Sequence, residues 1–333
     1  MHTGKRTALY TAVILVFLAL TCFASILLGS RRVPFHFLID LITGKDRTSL
    51  EAVVLLRRVP RTVFGLLAGA ALGVSGALMQ AITKNPVADP SILGVNTGAC
   101  LFVVCGISFL HITTASQYIW LALAGAGLTA VLVYGIASLG NGGATPLKLV
   151  LAGSAASVAL GSLVSTVMLP NSNVMNSFRF WQVGSIGGAT WDSIMLMLPF
   201  LAVGLVLAFV MAPFLNTLLL GDEMAAELGV NPGVVRGLSA LSDIVLCGAT
   251  TALAGPIGFV GLMVPHVLRM CLGSDLRRLI PLSALTGAVL LLFSDIIGRL
   301  IGYPGETEAG IVMAMIGAPV FIAIVRKVRI RSL

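Results

Sequence analysis

Charge is scarce in this chain. Asp, Glu, Lys and Arg make up 10% of its 333 residues, against about 25% in an ordinary soluble domain. With 57% hydrophobic residues and a mean hydropathy of +1.03, that scarcity excludes a water-soluble globular protein. Histidine is equally thin, and His2, His36, His111 and His266 are too scattered to form a metal cluster. The five cysteines, Cys22, Cys100, Cys105, Cys247 and Cys271, are an odd number at no metal-ligand spacing. They lie in or at the edge of apolar runs and read as packing residues. A nucleotide-binding loop is missing too. Gly44 and Lys45 sit in "IDLITGKDRTS", but Ile39 occupies the first glycine position of a phosphate-binding loop and Asp46 the hydroxyl position. No catalytic cluster is present, so the chain reads as no enzyme; if ATP powers it, another chain binds the ATP and its magnesium. Within the apolar runs, the conspicuous ionic residues are Asp243 and the pair Asp295 and Arg299, which can meet one helical turn apart.

What the chain has is apolar length. Windows of about 20 residues, enough to cross the hydrocarbon core, fall at 8–29, 62–82, 91–110, 117–139, 148–169, 192–215, 235–255, 257–272, 280–301 and 308–325. These predict an all-α, polytopic membrane protein with about ten transmembrane helices in a single membrane domain over 1–333. The eighth window is short and carries Pro265, His266 and Arg269. The first follows Lys5 and Arg6 as a signal sequence does, yet its apolar stretch is too long and no small-residue cleavage site precedes Arg31, so it stays as an anchor. Ten crossings put both termini on one side, and the basic residues at both ends, Lys5 and Arg6 with Arg326, Lys327, Arg329 and Arg331, assign that side to the cytoplasm. Nine basic residues then face outward: Arg31, Arg32, Lys45, Arg47, Arg57, Arg58, Arg61, Arg179 and Arg299. That runs against the usual charge bias and points either to an acidic partner or to solvated charge on a loop over 30–61.

Small residues form stripes. Gly65, Gly69 and Gly73 repeat every fourth residue in the second window, and Gly153, Ser157, Gly161 and Ser165 do so in the fifth. Such a face admits a neighbouring helix or a passing solute. Close packing is the better reading for the second window. The fifth adds Ser154, Ser162 and Thr166, an uncharged hydroxyl surface on which a bulky polar solute could slide, so packing and pathway stand level there. Between the sixth and seventh windows lies "GDEMAAELGVNPGVVRG". Met224 and Leu228 share one helical face and Glu223 and Glu227 another. Gly229 stands where a helix ends in a left-handed residue. Asn231 and Pro232 are an N-cap and first-turn pair that restarts a helix at once. Read locally, this is a compact helix, turn, helix unit.

Four stretches together resemble one family. "RRVPRTVFGLLAGAALGVSGALMQAITKNPVADPSILGVNTGA" (57–99), "GDEMAAELGVNP" (221–232), "GPIGFVGLMVPHVLRMCLGSDLRRLIPLSALTGAVLLLFSDIIGR" (255–299) and "PGETEAGIVMAMIGAPVFI" (304–322) are similar to the FecCD permeases. These are membrane subunits of type II ATP-binding-cassette (ABC) importers for iron(III) siderophores, haem and cobalamin. "RFWQVGS" (179–185) is similar to ferric-siderophore members. The resemblance implies a type II importer permease fold and a bacterial inner-membrane location with both termini cytoplasmic. It also implies a set of partners: two ATPase subunits, a second permease subunit, identical or sister, a periplasmic or lipid-anchored substrate-binding protein, and membrane lipids. No nucleic acid, metal or bound cofactor of this chain's own is implied. By the same resemblance the unit at about 216–234 is the coupling element, with Asp222, Glu223, Met224, Leu228, Gly229 and Val230 at the ATPase contact. Arg58, Arg61 and Arg299 match arginines that dock carboxylates of the binding protein, and Glu306 matches the acid that opens the last span. Two residues depart from the pattern: Glu308 stands where many members have proline, and Asp243 lies in a span that is usually apolar. The alternative from another class is a secondary transporter, which should show ion-coordinating acids in discontinuous helices near the midplane.

Overall fold

The computed structural model describes residues 2–31, 33–43, 49–112, 114–140, 145–170 and 172–327. Arg32, Gly44, Lys45, Asp46, Arg47, Arg329 and Arg331 lie outside them. The described residues are helical with no strand: α1 His2–Leu27, α2 Phe35–Ile42, α3 Leu50–Ile82, a 3-10 turn Pro90–Leu93, α4 Val95–Phe109, α5 Ala115–Ser138, α6 Pro146–Met168, α7 Ser172–Gln182, α8 Trp191–Leu218, α9 Asp222–Glu227, α10 Pro232–Ala254, α11 Val260–Leu272, α12 Leu276–Ile301 and α13 Ala309–Lys327. Hydrocarbon offers no partner to a free peptide group, so a spanning segment must pair its backbone within itself, and helices do so. Seven of these helices are long and apolar enough to cross a membrane; Val95–Phe109, Val260–Leu272 and Ala309–Ala323 are shorter apolar helices. Together they account for all ten predicted windows.

Two of the short ones have a common cause. At about 1.5 Å per residue, the 15 residues of α4 and the 13 of α11 fall short of the roughly 30 Å hydrocarbon core. Each is preceded by non-helical backbone, residues 83–89 before the 3-10 turn and α4, and 255–259 before α11. The first stretch runs beside α11, where Pro86 O meets His266 Nδ1 at 3.2 Å. Its turns are held locally, with Asn85 Oδ1 accepting from Val87 N (3.1 Å) and Asp89 Oδ1 from Ser91 N (2.9 Å).

Of the hydrophobic window of α3, 78% is buried, against 11% for α1 and 22% for α6. The second predicted span is therefore the centre of the bundle, and the first and fifth are its rim. Helix α3 packs on α12, α10, α11, α8 and α1, and its glycines explain how. A Cβ on Gly69 would stand 2.4 Å from Gly287 O, and one on Gly73 2.2 Å from Ser283 O, so α3 and α12 touch backbone to backbone. The close-packing reading of that stripe holds, and no solute passes along it. Further along the same face, a Cβ on Gly76 would stand 1.9 Å from Gly261 O at the start of α11. Since a carbonyl of packed backbone cannot give way as a flexible side chain can, Gly76→Val should cost more than the about 1–3 kcal/mol of ordinary overpacking. We expect low yield from membranes and a depressed unfolding temperature in detergent. Wild-type behaviour on both counts would contradict this contact.

The ends of α3 also correct the sequence reading. The stretch 50–61 is helix, not loop. Ser49 Oγ caps it by accepting from Ala52 N (3.2 Å), and Pro60 is taken up inside it. Arg57, Arg58 and Arg61 thus ride on a helix that extends beyond the span.

Candidate functional site

One end of the bundle is built around a buried carboxylate. Asp295 of α12 is 1% exposed and lies between two arginines. Arg61 of α3 donates from Nη2 to Oδ1 at 2.7 Å and from Nε to both oxygens at 3.1 and 3.2 Å. Arg299, one turn on along α12, brings its Nε to 3.0 Å from Oδ2. That N–H is not aligned for a hydrogen bond, so the contact is ionic. The predicted Asp295–Arg299 pair exists, but the aligned fork to Asp295 comes from Arg61. Arg61 Nη1 also donates to Glu306 at 2.6 Å, and Ser30 Oγ donates to the other Glu306 oxygen at 3.0 Å. Burial pushes the Glu306 carboxyl up, but its bonds from Arg61 and Ser30 outweigh this and hold it below the ordinary glutamate range.

The remaining donors close the end of α1. A helix C-terminus leaves carbonyls without intrahelical partners. Arg299 Nη1 donates to Ser25 O (2.8 Å) and Leu28 O (2.9 Å), and its Nη2 to Ser25 Oγ (3.0 Å). Arg58 Nη1 donates to Ile26 O (3.0 Å) and Leu27 O (2.8 Å), and its Nη2 to Arg31 O (2.6 Å). Gly29 is what lets Arg58 in, because a Cβ there would stand 2.5 Å from Nη2. So Arg58, Arg61 and Arg299, singled out as docking residues, spend these donors inside the chain. Arg57, which the resemblance does not single out, is exposed beside them and lines a cavity of about 530 Å³ with Pro60 and residues 187–191.

The opposite end carries the 221–237 unit, and its local reading is realised atom by atom. Gly229 has φ +77° and donates to Ala226 O (2.9 Å), while Val230 N donates to Ala225 O (2.9 Å). These two bonds with a left-handed glycine are the Schellman closure of a helix. Asn231 Oδ1 then accepts from Gly233 N (3.0 Å) and Val234 N (3.2 Å), which starts α10 with Pro232 in its first turn. Ala225 is buried and anchors α9, leaving Met224 and Leu228 49% and 60% exposed on the outer side, with Glu223 and Glu227 also exposed. Asp222 points back into the chain. Arg236 Nη2 donates to both its oxygens at 2.8 Å, and Lys84 Nζ approaches at 3.2 Å. Burial raises that carboxyl, and the bonds from Arg236 and Lys84 more than reverse the effect, holding it below the ordinary aspartate range.

Helix α6 divides its stripe. Gly153 and Ser157 face Gly94 at the start of α4, and Gly161 faces Thr97. Ser165 is exposed, as are Ser154, Ser162 and Thr166. The hydroxyls of Ser162, Ser165 and Thr166 donate to carbonyls of their own helix four residues back, at 3.0, 3.1 and 2.9 Å. Packing and an open hydroxyl surface thus occupy adjacent faces of the same helix.

Comparison with known proteins gives one consistent result. The model of the FecCD transport family matches residues 16–327. The Fe(3+)-citrate import system permease protein YfmD of Bacillus subtilis is 42% identical over 284 residues, 85% of this chain and 84% of that protein. The ferric enterobactin transport system permease protein FepD of Escherichia coli is 39% identical over 315 residues, 94% of each. Among solved structures, one described as an inward-facing conformation of a metal-chelate type ABC transporter superposes with TM-score 0.83 at 26% identity, covering 97% of this chain and 100% of that one.

Proposed function

This chain belongs to the FecCD transport family, and from that premise we propose that it is the permease subunit of a bacterial ABC importer that carries an iron(III) chelate, a siderophore or citrate complex, into the cytoplasm. The observation that carries the reading is the match of nearly the whole chain to permeases named for ferric chelates. Features at the two ends and on one face of the bundle support a reading for each partner. Two ATPase subunits meet two copies of the α9 unit, one from each permease, identical or sister. Met224 and Leu228 form the apolar contact, with Glu223 and Glu227 at its rim. Asp222, Gly229 and Val230 give the unit its shape and anchorage. ATP and magnesium belong to those subunits. The exposed hydroxyl face of α6, from Ser154 to Thr166, lines the shared pathway, where a surface without charge gives a large chelate no deep well.

The substrate-binding protein docks at the arginine end. In this reading Arg58, Arg61 and Arg299 shape the docking face by tying α1, α3 and α12 together, and Arg57, exposed and outside every ion pair among the described residues, meets an acidic residue. Both termini then lie in the cytoplasm, on the side of the α9 unit. The test is uptake of iron-labelled citrate, catecholate and hydroxamate complexes by a strain from which this gene is deleted and then restored. Restoration should return accumulation of one chelate class, dependent on ATP and insensitive to an uncoupler of the proton gradient. Collapse of uptake by the uncoupler with ATP maintained would favour a secondary transporter instead.

A further inference from the structure

Helix α10 carries a polar stripe through the middle of the bundle. Ser239, Asp243, Cys247 and Thr251 follow one another at four-residue spacing, with Arg236 one turn before them. Residues three and four apart share a helix face, and all five are buried. The half nearer the arginine end is satisfied. Thr251 Oγ1 donates to Asn96 Oδ1 at 2.8 Å, and Cys247 Sγ approaches the same oxygen at 3.4 Å. The half nearer α9 is not. Asp243 Oδ1 accepts from the hydroxyl of Ser75 on α3, but Oδ2 has no partner. Ser239 Oγ has none, and Arg236 Nε has none although its Nη2 holds Asp222. Among the described residues no cation forms an ion pair with Asp243.

Buried polar atoms in native proteins are paired, and those that lack a protein partner commonly hold an ordered water. Three successive unpaired atoms on one helix face call for one explanation. A carboxylate buried without a cation carries a desolvation cost so large that such a group takes up a proton and becomes neutral. Among the described residues no cation pairs with Asp243 to prevent this. Asp89, in the non-helical stretch before α4, is a second acid within electrostatic reach. Cys247 lies on α10 itself, and Tyr134 of α5 stands opposite Gly237. Helix α8 carries Asp192 alone, at its far end, and α3 presents Ser75. The nearest cation on the stripe, Arg236, is engaged by Asp222.

We propose that Asp243 is a proton-binding site inside the membrane, loaded from the α9 end through water held along Ser239 and Arg236. The proton comes from bulk solvent on that side and adds to Oδ2, the oxygen that Ser75 leaves free, converting the carboxylate to the neutral acid. It departs by the same route. Because the route ends on Arg236, it terminates at the ion pair that anchors the α9 unit through Asp222.

The test is infrared spectroscopy of the purified, full-length protein in lipid vesicles at neutral pH, and it needs no transport cargo. The wild type should show a carboxylic-acid C=O band that moves on transfer to D2O and is lost in Asp243→Asn, which keeps the size and hydrogen bonding of the neutral acid. Ser75→Ala should shift the same band, since one of its hydrogen bonds is gone. Ser239→Val should slow the movement of the band in D2O. Identical carbonyl spectra for the wild type and Asp243→Asn would overturn the proposal. Should Asp243→Asn fail to fold, Ser75→Ala decides: an unshifted band would overturn it equally.

Discussion

Asp295→Ala should remove most of the folded protein from membranes, with a stability loss of about 3–5 kcal/mol, the range for breaking a buried ion pair from one side. The size follows from what remains. Arg61 and Arg299 would both keep their charge, Arg299 at 1% exposure, with the carboxylate between them gone. Glu306 could still hold Arg61 Nη1, but among the described residues no second carboxylate forms an ion pair with Arg299 to replace Asp295 at its Nε. The damage should spread to α1, whose closing carbonyls at Ser25 and Leu28 depend on the Arg299 fork lying where it does. Asp295→Asn should fall between, because its carbonyl oxygen still accepts from Arg61 while the charge is lost. The measurement is thermal unfolding of detergent-solubilised protein with membrane abundance as a second reading. An Asp295→Ala protein as stable and abundant as the wild type would show that water reaches the cluster and screens it.

That cluster marks the boundary of what the residues alone could tell. The Asp295–Arg299 pair is local, four residues apart on one helix, and was legible for that reason. The Arg61 fork joins residues 234 positions apart, and no periodicity announces it. From sequence Arg58 reads as an outward cation, because "RRVPR", with its proline and charges, reads as loop. Its bonds to the carbonyls of Ile26 and Leu27, in the space that Gly29 leaves, make it the cap of α1. The amphipathic helices α2 and α7, at 8 and 11 residues, are too short to show as apolar windows of spanning length. The glycine stripe of α3 was legible as a packing face, but its partners, the backbones of α12 and α11, were not. On α6 the same kind of stripe proved to be half contact and half open surface, a division set by where α4 stands. By contrast, the 221–237 unit was readable to the residue, because left-handed glycine, Asx cap and first-turn proline are all local devices.

Gly229→Pro should leave the protein inserted and folded yet abolish ATP-driven uptake. Two features of the wild-type turn are forbidden to proline: a φ of +77° and an N–H that donates to Ala226 O. Proline holds φ near −65° and has no N–H, so the Schellman closure cannot form and α9 must leave its angle to α10. The membrane core should be spared, because nothing lies within 4 Å of a Cβ at that position. Gly229→Ala separates degree from kind: it keeps the N–H and carries only the left-handed cost, about 1–2 kcal/mol, so uptake should be reduced but present. Met224→Ser with Leu228→Ser makes the complementary change, keeping the turn and removing the exposed apolar pair. Under the proposed role that double variant should lose co-purification with the ATPase subunits, while Gly229→Pro should retain weak association without transport. Uptake assays and affinity co-purification from the same cells read both. If Gly229→Pro imports the chelate at the wild-type rate, the rigid turn is a cap on two spans and the ATPase grips some other surface.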